Sequence, residues 1–454
     1  AVTAAQTSVA AAAPLAFSPD LVKIHPTASH VGFQQAAPPT TAQCESQFKI
    51  ACYGAPQIQQ AYDLPRLFQH GTEGQGQTIA IVDSFGSPTI QADLNTFDAA
   101  YGLPSPKLTV IQPAGAVPPW DPTNSDMVGW AGETTLDVEY AHTIAPKANI
   151  LLVETPVSET EGTTGFPEIV TAEKFVIDHH MASVISQSFS ATEETFPSKQ
   201  SLLALRGAYT DAAEKGVTVL AASGDSGAAD AEADGSTLYP NAVTSWPDSD
   251  PLVTGVGGTQ LKLDAGGNHT SPDVVWNDTY DKNTQNYIFG NDGPNPLSGG
   301  GGKSVIFNRP DYQDGVANVV GNQRGVPDIS MSGACNGAVN VYQSFSGQPA
   351  GWYPTCGTSE ATPLFSGIIA LTAQFAHHSV GLINPALYTM SAMHAPGLVD
   401  VTSGNNTVSF TQDGKLQTVQ GFDARRGYDL ASGVGTVDAA KFVPELAVFA
   451  CYGG

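Results

Sequence analysis

The sequence predicts an α/β fold: a mostly parallel central sheet flanked by helices. Three observations in its 454 residues predict it. Short β-branched runs alternate with helical stretches between residues 77 and 222, the pattern of repeated βαβ units. Asp83 and Asp225 each follow such a run, at the strand ends where ligands bind on sheets of this kind. No linker or internal repeat divides residues 50–454. One large domain is therefore expected there, after an extended leader over residues 1–49 that is rich in Ala, Thr, Pro and Gln.

The elements follow in chain order. A short helix is expected over 56–62, and a strand over 77–83, where Thr-Ile-Ala-Ile-Val-Asp is bounded by glycine signals. Ser84-Phe-Gly-Ser-Pro88 makes a turn, and 89–101 reads as an amphipathic helix before a strand at 108–111. Residues 112–132, rich in Pro, Gly and Asp, read as a loop, and 133–144 as a helix. Strands at 149–154, 183–190 and 217–222 then alternate with helices at 166–180 and 199–215. Residues 257–325 read as loop-rich, and Gly299–Gly302 as a flexible surface loop, since it lacks the spacing of a phosphate loop. Late in the chain, the small-residue turn Gly357-Thr358-Ser359 runs into a long apolar helix with Pro363 in its first turn.

Composition narrows the function. Asp and Glu number 43 against 18 Lys and Arg, a formal charge of −25. This argues against nucleic acid or anionic membranes as partners. Self-repulsion of such a chain falls as its carboxylates protonate, which hints at an acidic working place. No apolar run reaches the length of a membrane span. The chain opens on Ala with no signal-like segment, so a processed, secreted, extracellular monomer is expected. Cys44 with Cys52 and Cys335 with Cys356 are expected disulfides of an exported protein, leaving Cys451 single, although connectivity is not readable from sequence.

The chemistry centres on Ser359. It stands at or near a helix N-terminus, where unpaired N–H groups and the dipole favour a developing negative charge. A serine held there can attack a carbonyl, its own N–H then stabilising the oxyanion. Taken alone, such a serine is more simply an N-cap. Glu133 and Asp137 are four residues apart, on one helix face. That spacing would let Glu133 take the serine proton while Asp137 orients Glu133, where the duller alternative is a solvated acidic face. Asp225 lies in Ser-Gly-Asp-Ser-Gly, where an ordinary turn is the simple alternative. An aspartate can donate to an oxyanion only when protonated, which suits acid. A histidine-based triad through Asp83 fails on order. His70 precedes Asp83, and Glu73 stands where that motif would carry a second histidine.

Together, Glu133-x-x-Leu136-Asp137, Ser223-Gly-Asp-Ser-Gly227 and Gly357-Thr-Ser359-x-x-x-Pro363 resemble the sedolisin family, the serine-carboxyl peptidases, over residues 50–454. The resemblance implies a subtilisin-like three-layer fold and a serine peptidase acting on polypeptides through an acyl-enzyme. It implies Ser359 as nucleophile, Glu133 as general base and acid, Asp137 as its orienter and protonated Asp225 in the oxyanion hole. Asp83 would be a further carboxyl linked to the glutamate. The strand around Ser186 and Ser188 would take the substrate as an added strand. The family also implies a prodomain partner before maturation and a Ca²⁺ site, here Asp400, Val401, Arg425, Gly427 and Asp429. Arg425 stands where glycine is usual, so the ligand there would be its carbonyl. Cys356 stands where a serine is common, so a disulfide would brace the turn before Ser359. An endopeptidase is expected; a tripeptidyl exopeptidase or an inactive peptide-binding relative is the alternative.

Two further motifs are set aside. Asp230-Ala-Glu-Ala-Asp-Gly235 opens like an EF-hand loop, but its twelfth position is Asn241 rather than glutamate, so a solvated acidic loop is expected. The sequons at Asn268, Asn277 and Asn405 matter only in a glycosylating source.

Overall fold

The computed structural model describes residues 29–30, 35–279 and 296–450. Its central sheet contains strands β1 (Thr78–Ser84), β2 (Leu108–Ile111), β3 (Asn149–Thr155), β4 (Val184–Gln187), β5 (Thr218–Ala222), β6 (Thr254–Gln260), β7 (Val274–Val275) and β8 (Ile329–Ser332). Their order is β7-β6-β5-β4-β1-β3-β2, with β8 also paired to β6. Only the β6–β7 pair is antiparallel in this sheet.

The strand periodicity sorts side chains between two apolar layers. On β1, Ile79 and Ile81 enter one core, while Ala80 and Val82 enter the other. On β3, Ile150 and Leu152 oppose Leu151 and Val153 in the same way. The first layer holds helices α1 (Ile90–Tyr101), α2 (Ser125–Ile144), α5 (Thr358–Ala376) and α6 (Ala439–Ala450). The second holds α3 (Phe166–Asp178) and α4 (Gly207–Lys215). This is the expected three-layer α/β fold.

Helices α2 and α5 are buried over most of their length, as expected for helices covered on all sides. They cross closely at Gly367: a Cβ there would lie 2.4 Å from the Ile144 Cβ. Gly367 therefore sets the approach between the helix that carries Glu133 and the one that carries Ser359.

Several boundaries differ from expectation. Helix α2 starts at Ser125, because the Asn124 side chain caps it by accepting from the N–H groups of Asp126 and Met127 at 3.0 and 3.2 Å. Glu133 is therefore inside the helix and not at its start. Residues 199–215 fold as two short helices, and β4 ends at Gln187. Within the expected leader, Thr41–Phe48 is a helix with a capping box at Thr40.

The glycine run 299–302 is buried, contrary to the expected surface loop. A Cβ on Gly300 would fall 1.8 Å from the Ser223 carbonyl oxygen. The absence of side chains lets this segment press against the end of β5. Disulfides join Cys44 to Cys52 and Cys335 to Cys356; Cys451 lies outside the described residues.

Candidate active site

Glu133 and Asp137 project from α2, Ser359 from the first turn of α5, and Asp83 from the end of β1, all fully buried. Asp225 follows β5 and is 9% exposed. The two helices and the strand ends thus deliver five sequence-predicted residues to one place. Gly357 precedes α5 with φ 133°, a conformation that favours glycine.

The carboxyl groups form a chain. The Glu133 carboxyl faces the Ser359 side chain and Asp137, and Asp137 meets Asp83, which also faces Thr134. The oxygens of Glu133 and Asp83 find no conventional donor among the described residues. Carboxylates only accept, so contacts between these acids become hydrogen bonds only when one of them holds a proton. Burial acts the same way. Desolvation pushes Glu133 and Asp137 well above the usual carboxyl range and raises Asp83 to about 7. The site is a proton-sharing acid cluster rather than a set of free anions.

Ser188 fastens this chain to Ser359. Its hydroxyl donates to Asp137 Oδ1 at 2.8 Å, and the Ser359 hydroxyl reaches the Ser188 carbonyl at 3.4 Å. Pro363 explains a further contact. It lies in the second turn of α5 rather than the first, and it lacks the N–H that would bond the carbonyl four residues back. That carbonyl belongs to Ser359, and the Ser188 hydroxyl approaches it at 3.4 Å.

Asp225 sits at the N-terminus of α5. Its Oδ1 accepts from both the N–H and the hydroxyl of Thr358 at 2.8 Å. Gly224 N–H in turn donates to the Thr358 hydroxyl oxygen at 3.1 Å. Nothing in the spacing of the motifs announced the linking parts of Thr134, Thr358 and Ser188, which come from folding. The buried glycine run forms the adjoining wall: Gly300 N–H donates to the Gly224 carbonyl at 2.8 Å.

Ser186 is placed differently from Ser188. It lies inside β4, paired to Ile81 on one side and Leu220 on the other. A peptide strand cannot be added there. The N–H groups of Phe189 and Ser190 donate no hydrogen bond among the described residues, so an unoccupied edge begins only beyond Gln187. His70 is exposed at the end of a short helix, and His142, on α2, pairs with Asp98 at 3.0 Å.

Four of the five expected calcium ligands meet in two pairs. Asp400 Oδ2 accepts from the Gly427 N–H at 2.9 Å, and Asp429 Oδ2 from the Arg425 N–H at 2.9 Å. Among the described residues, the carbonyls of Val401, Arg425 and Gly427 accept no hydrogen bond. Two carboxylates and three uncommitted carbonyls are the hard oxygen donors that Ca²⁺ takes, with Asp429 Oδ1 also accepting from the Ala431 and Ser432 N–H groups. No cluster of three or more acidic, His or Cys side chains suited to a metal occurs among the described residues, so the carbonyls are essential to that fit.

The chain matches the subtilase family over residues 124–412. It is 33% identical over 401 residues to kumamolisin of Bacillus sp. (strain MN-32), covering 86% of this chain and 62% of that protein. It is 30% identical over 249 residues to tripeptidyl-peptidase 1 of Macaca fascicularis, covering 52% of this chain and 38% of that protein. The solved Pseudomonas sedolisin, a serine-carboxyl proteinase complexed with two molecules of pseudo-iodotyrostatin, superposes with a TM-score of 0.71 at 25% identity, covering 88% of this chain and 99% of that one. The chain thus spans 62% or less of the two curated relatives named here.

Proposed function

This chain belongs to the sedolisin family of serine peptidases, with its subtilisin-like fold, and from that membership we propose that it is a secreted, acid-acting endopeptidase using a carboxyl group as its base. The observation that carries the reading is the placement of the buried Glu133 carboxyl against the Ser359 side chain.

In this mechanism the Ser359 hydroxyl attacks the scissile carbonyl, and its proton passes to Glu133. The carbonyl π pair moves onto oxygen. The Ser359 N–H at the start of α5 and a proton on Asp225 donate to that oxyanion. Collapse of the intermediate breaks the C–N bond, Glu133 returns the proton to the leaving amine, and water then hydrolyses the acyl-enzyme. Asp137, held by Ser188, orients Glu133, and Asp83 shares the acid cluster's proton. The substrate adds as a strand along Ser188 to Ser190.

Asp400, Asp429 and the carbonyls of Val401, Arg425 and Gly427 would hold Ca²⁺, which would staple the 400 and 425–429 segments together. Two disulfides fit an extracellular setting, and no helix of the described residues is long and apolar enough to cross a membrane. A prodomain partner before maturation and a monomeric mature enzyme complete the proposal.

The test is covalent capture. A peptide aldehyde should form an adduct mapped to Ser359 by mass spectrometry, and Ser359→Ala should lose both adduct and proteolysis. Proteolysis retained by that variant removes Ser359 from the role. The tripeptidyl-peptidase likeness supports an exopeptidase as the second reading. Product analysis separates the two, since exclusive release of N-terminal tripeptides would favour the exopeptidase.

A further inference from the structure

Resting on the peptidase reading, we propose that residues 29–30 and 35–53 form a strap that positions Ser359, by holding both edges of the hairpin whose second strand runs into the nucleophile's helix.

The hairpin consists of strands Ala338–Gln343 and Gly351–Cys356, antiparallel from the Val339–Thr355 pair to the Gln343–Gly351 pair. Cys356 stands three residues before Ser359, and only Gly357 separates the strand from α5. A hairpin by itself leaves two outer edges of unpaired N–H and C=O groups. The N-terminal segment covers both. Ser29 and His30 pair antiparallel with Cys356 and Thr355, and Gln35 and Trp352 exchange both backbone hydrogen bonds at 2.8 Å. On the other edge, Cys52 and Tyr53 pair parallel with Ala338 and Val339. The four strands make one sheet, with the N-terminal segment at each end of it.

The strap is closed between those edges. The Cys44–Cys52 disulfide ties helix Thr41–Phe48 to the second edge strand, and the Thr41 hydroxyl donates to the Cys52 carbonyl at 2.9 Å. The Asn340 side chain donates to the Pro39 carbonyl at 2.8 Å, fastening the hairpin to the strap. The Ala51 N–H donates to Asn336 Oδ1 at 2.9 Å, and the Gly337 N–H to the Ala51 carbonyl at 3.0 Å. The Cys335–Cys356 disulfide and the bond from the Gly357 N–H to the Gly333 carbonyl at 2.8 Å hold the turn itself. The strap holds the strand before it.

The hairpin touches both helices of the site. It continues into α5, which carries Ser359. The Tyr140 hydroxyl on α2 donates to the Asn340 carbonyl at 2.8 Å, and the Tyr342 N–H donates to Glu139 Oε2, also on α2, at 3.1 Å. Helix α2 carries Glu133. A displaced hairpin therefore moves the nucleophile relative to its base, and misplacement by about 1 Å can cost on the order of 10² in rate.

Gln35→Pro loosens the strap selectively, because proline has no N–H to give the Trp352 carbonyl, whereas Gln35→Ala keeps that donor. Both are made in the full chain. Hydrogen exchange is followed with Ser359→Ala added to every chain to prevent self-digestion. Amides of 351–360 should exchange about tenfold or more faster in Gln35→Pro than in its parent, while those of β1 stay unchanged. Steady-state hydrolysis at about pH 4, with Ser359 present, should show Gln35→Pro lowering kcat by about tenfold with KM within about twofold. Gln35→Ala should match the parent in both measurements. If β1 also loses protection, the proline chain has lost its fold, and Asn340→Ala, which removes the bond to Pro39, is judged by the same two readouts. Unmoved exchange, unmoved kcat, a loss confined to KM, or an equal loss in Gln35→Ala would overturn the strap. Absent hydrolysis by the unaltered chain refutes the peptidase reading instead, and exchange still judges the strap's hold on the hairpin.

Discussion

Replacing Asp83 by Asn isolates the energetics of the buried acid cluster. Asp83 is fully buried against Asp137 and Thr134, and desolvation raises it from 3.8 to about 7. A carboxyl whose folded pKa lies above its unfolded value contributes stability that is fully present below the unfolded value and is lost as pH rises through the folded one. Here the loss runs from about pH 4 to about pH 7. Each pKa unit is worth ~1.4 kcal/mol, so the whole displacement amounts to roughly 4 kcal/mol. Asparagine has nearly the same shape and does not titrate. Both chains would carry Ser359→Ala to prevent self-digestion. Guanidinium unfolding from about pH 4 to about pH 7.5 should show the parent losing stability with rising pH faster than the Asp83→Asn chain. The difference between them should swing toward the variant by a few kcal/mol. A difference independent of pH would refute the claim that Asp83 is held protonated by burial.

Other consequences follow from the same geometry. Asp225→Ala should lower kcat by about 10²–10³-fold, whereas Asp225→Asn, whose amide donates at any pH, should flatten the loss of activity between weakly acidic and neutral pH. Gly367→Ala puts a Cβ 2.4 Å from that of Ile144. It should cost about 1–3 kcal/mol in denaturant unfolding and reduce kcat more than it raises KM, because α2 and α5 separate. Chelation of Ca²⁺ should lower Tm, and Ca²⁺ at about 100 times its Kd should restore about 2.7 kcal/mol. Asp400→Asn should weaken that response, and a Tm insensitive to both would exclude a stabilising calcium.

Strands and helices of the alternating region were legible because their apolar periods are local: Ile79 and Ile81 against Ala80 and Val82 announce a strand buried on both faces. The acids of the site were legible as motifs whose spacing is also local. What sequence left hidden depends on distant partners. The 299–302 run looked solvent-exposed because nothing local says that Gly300 will lie against Ser223. The start of α2 was misplaced because Pro, Gly and Asp outweighed the single capping asparagine, Asn124. Ser186 and Ser188 looked equivalent from their shared strand, yet one is enclosed by both neighbouring strands and the other meets Asp137.

The most direct test of a carboxyl-activated serine is a double-mutant cycle in steady-state hydrolysis at about pH 4, using Glu133→Gln, Ser359→Ala and the pair together. Groups that act as one unit are non-additive on removal. If Glu133 is the base for Ser359, each single variant should lose most of the rate and the double variant should fall little further. Near-normal turnover by Glu133→Gln, or losses that multiply in the pair, would contradict the account.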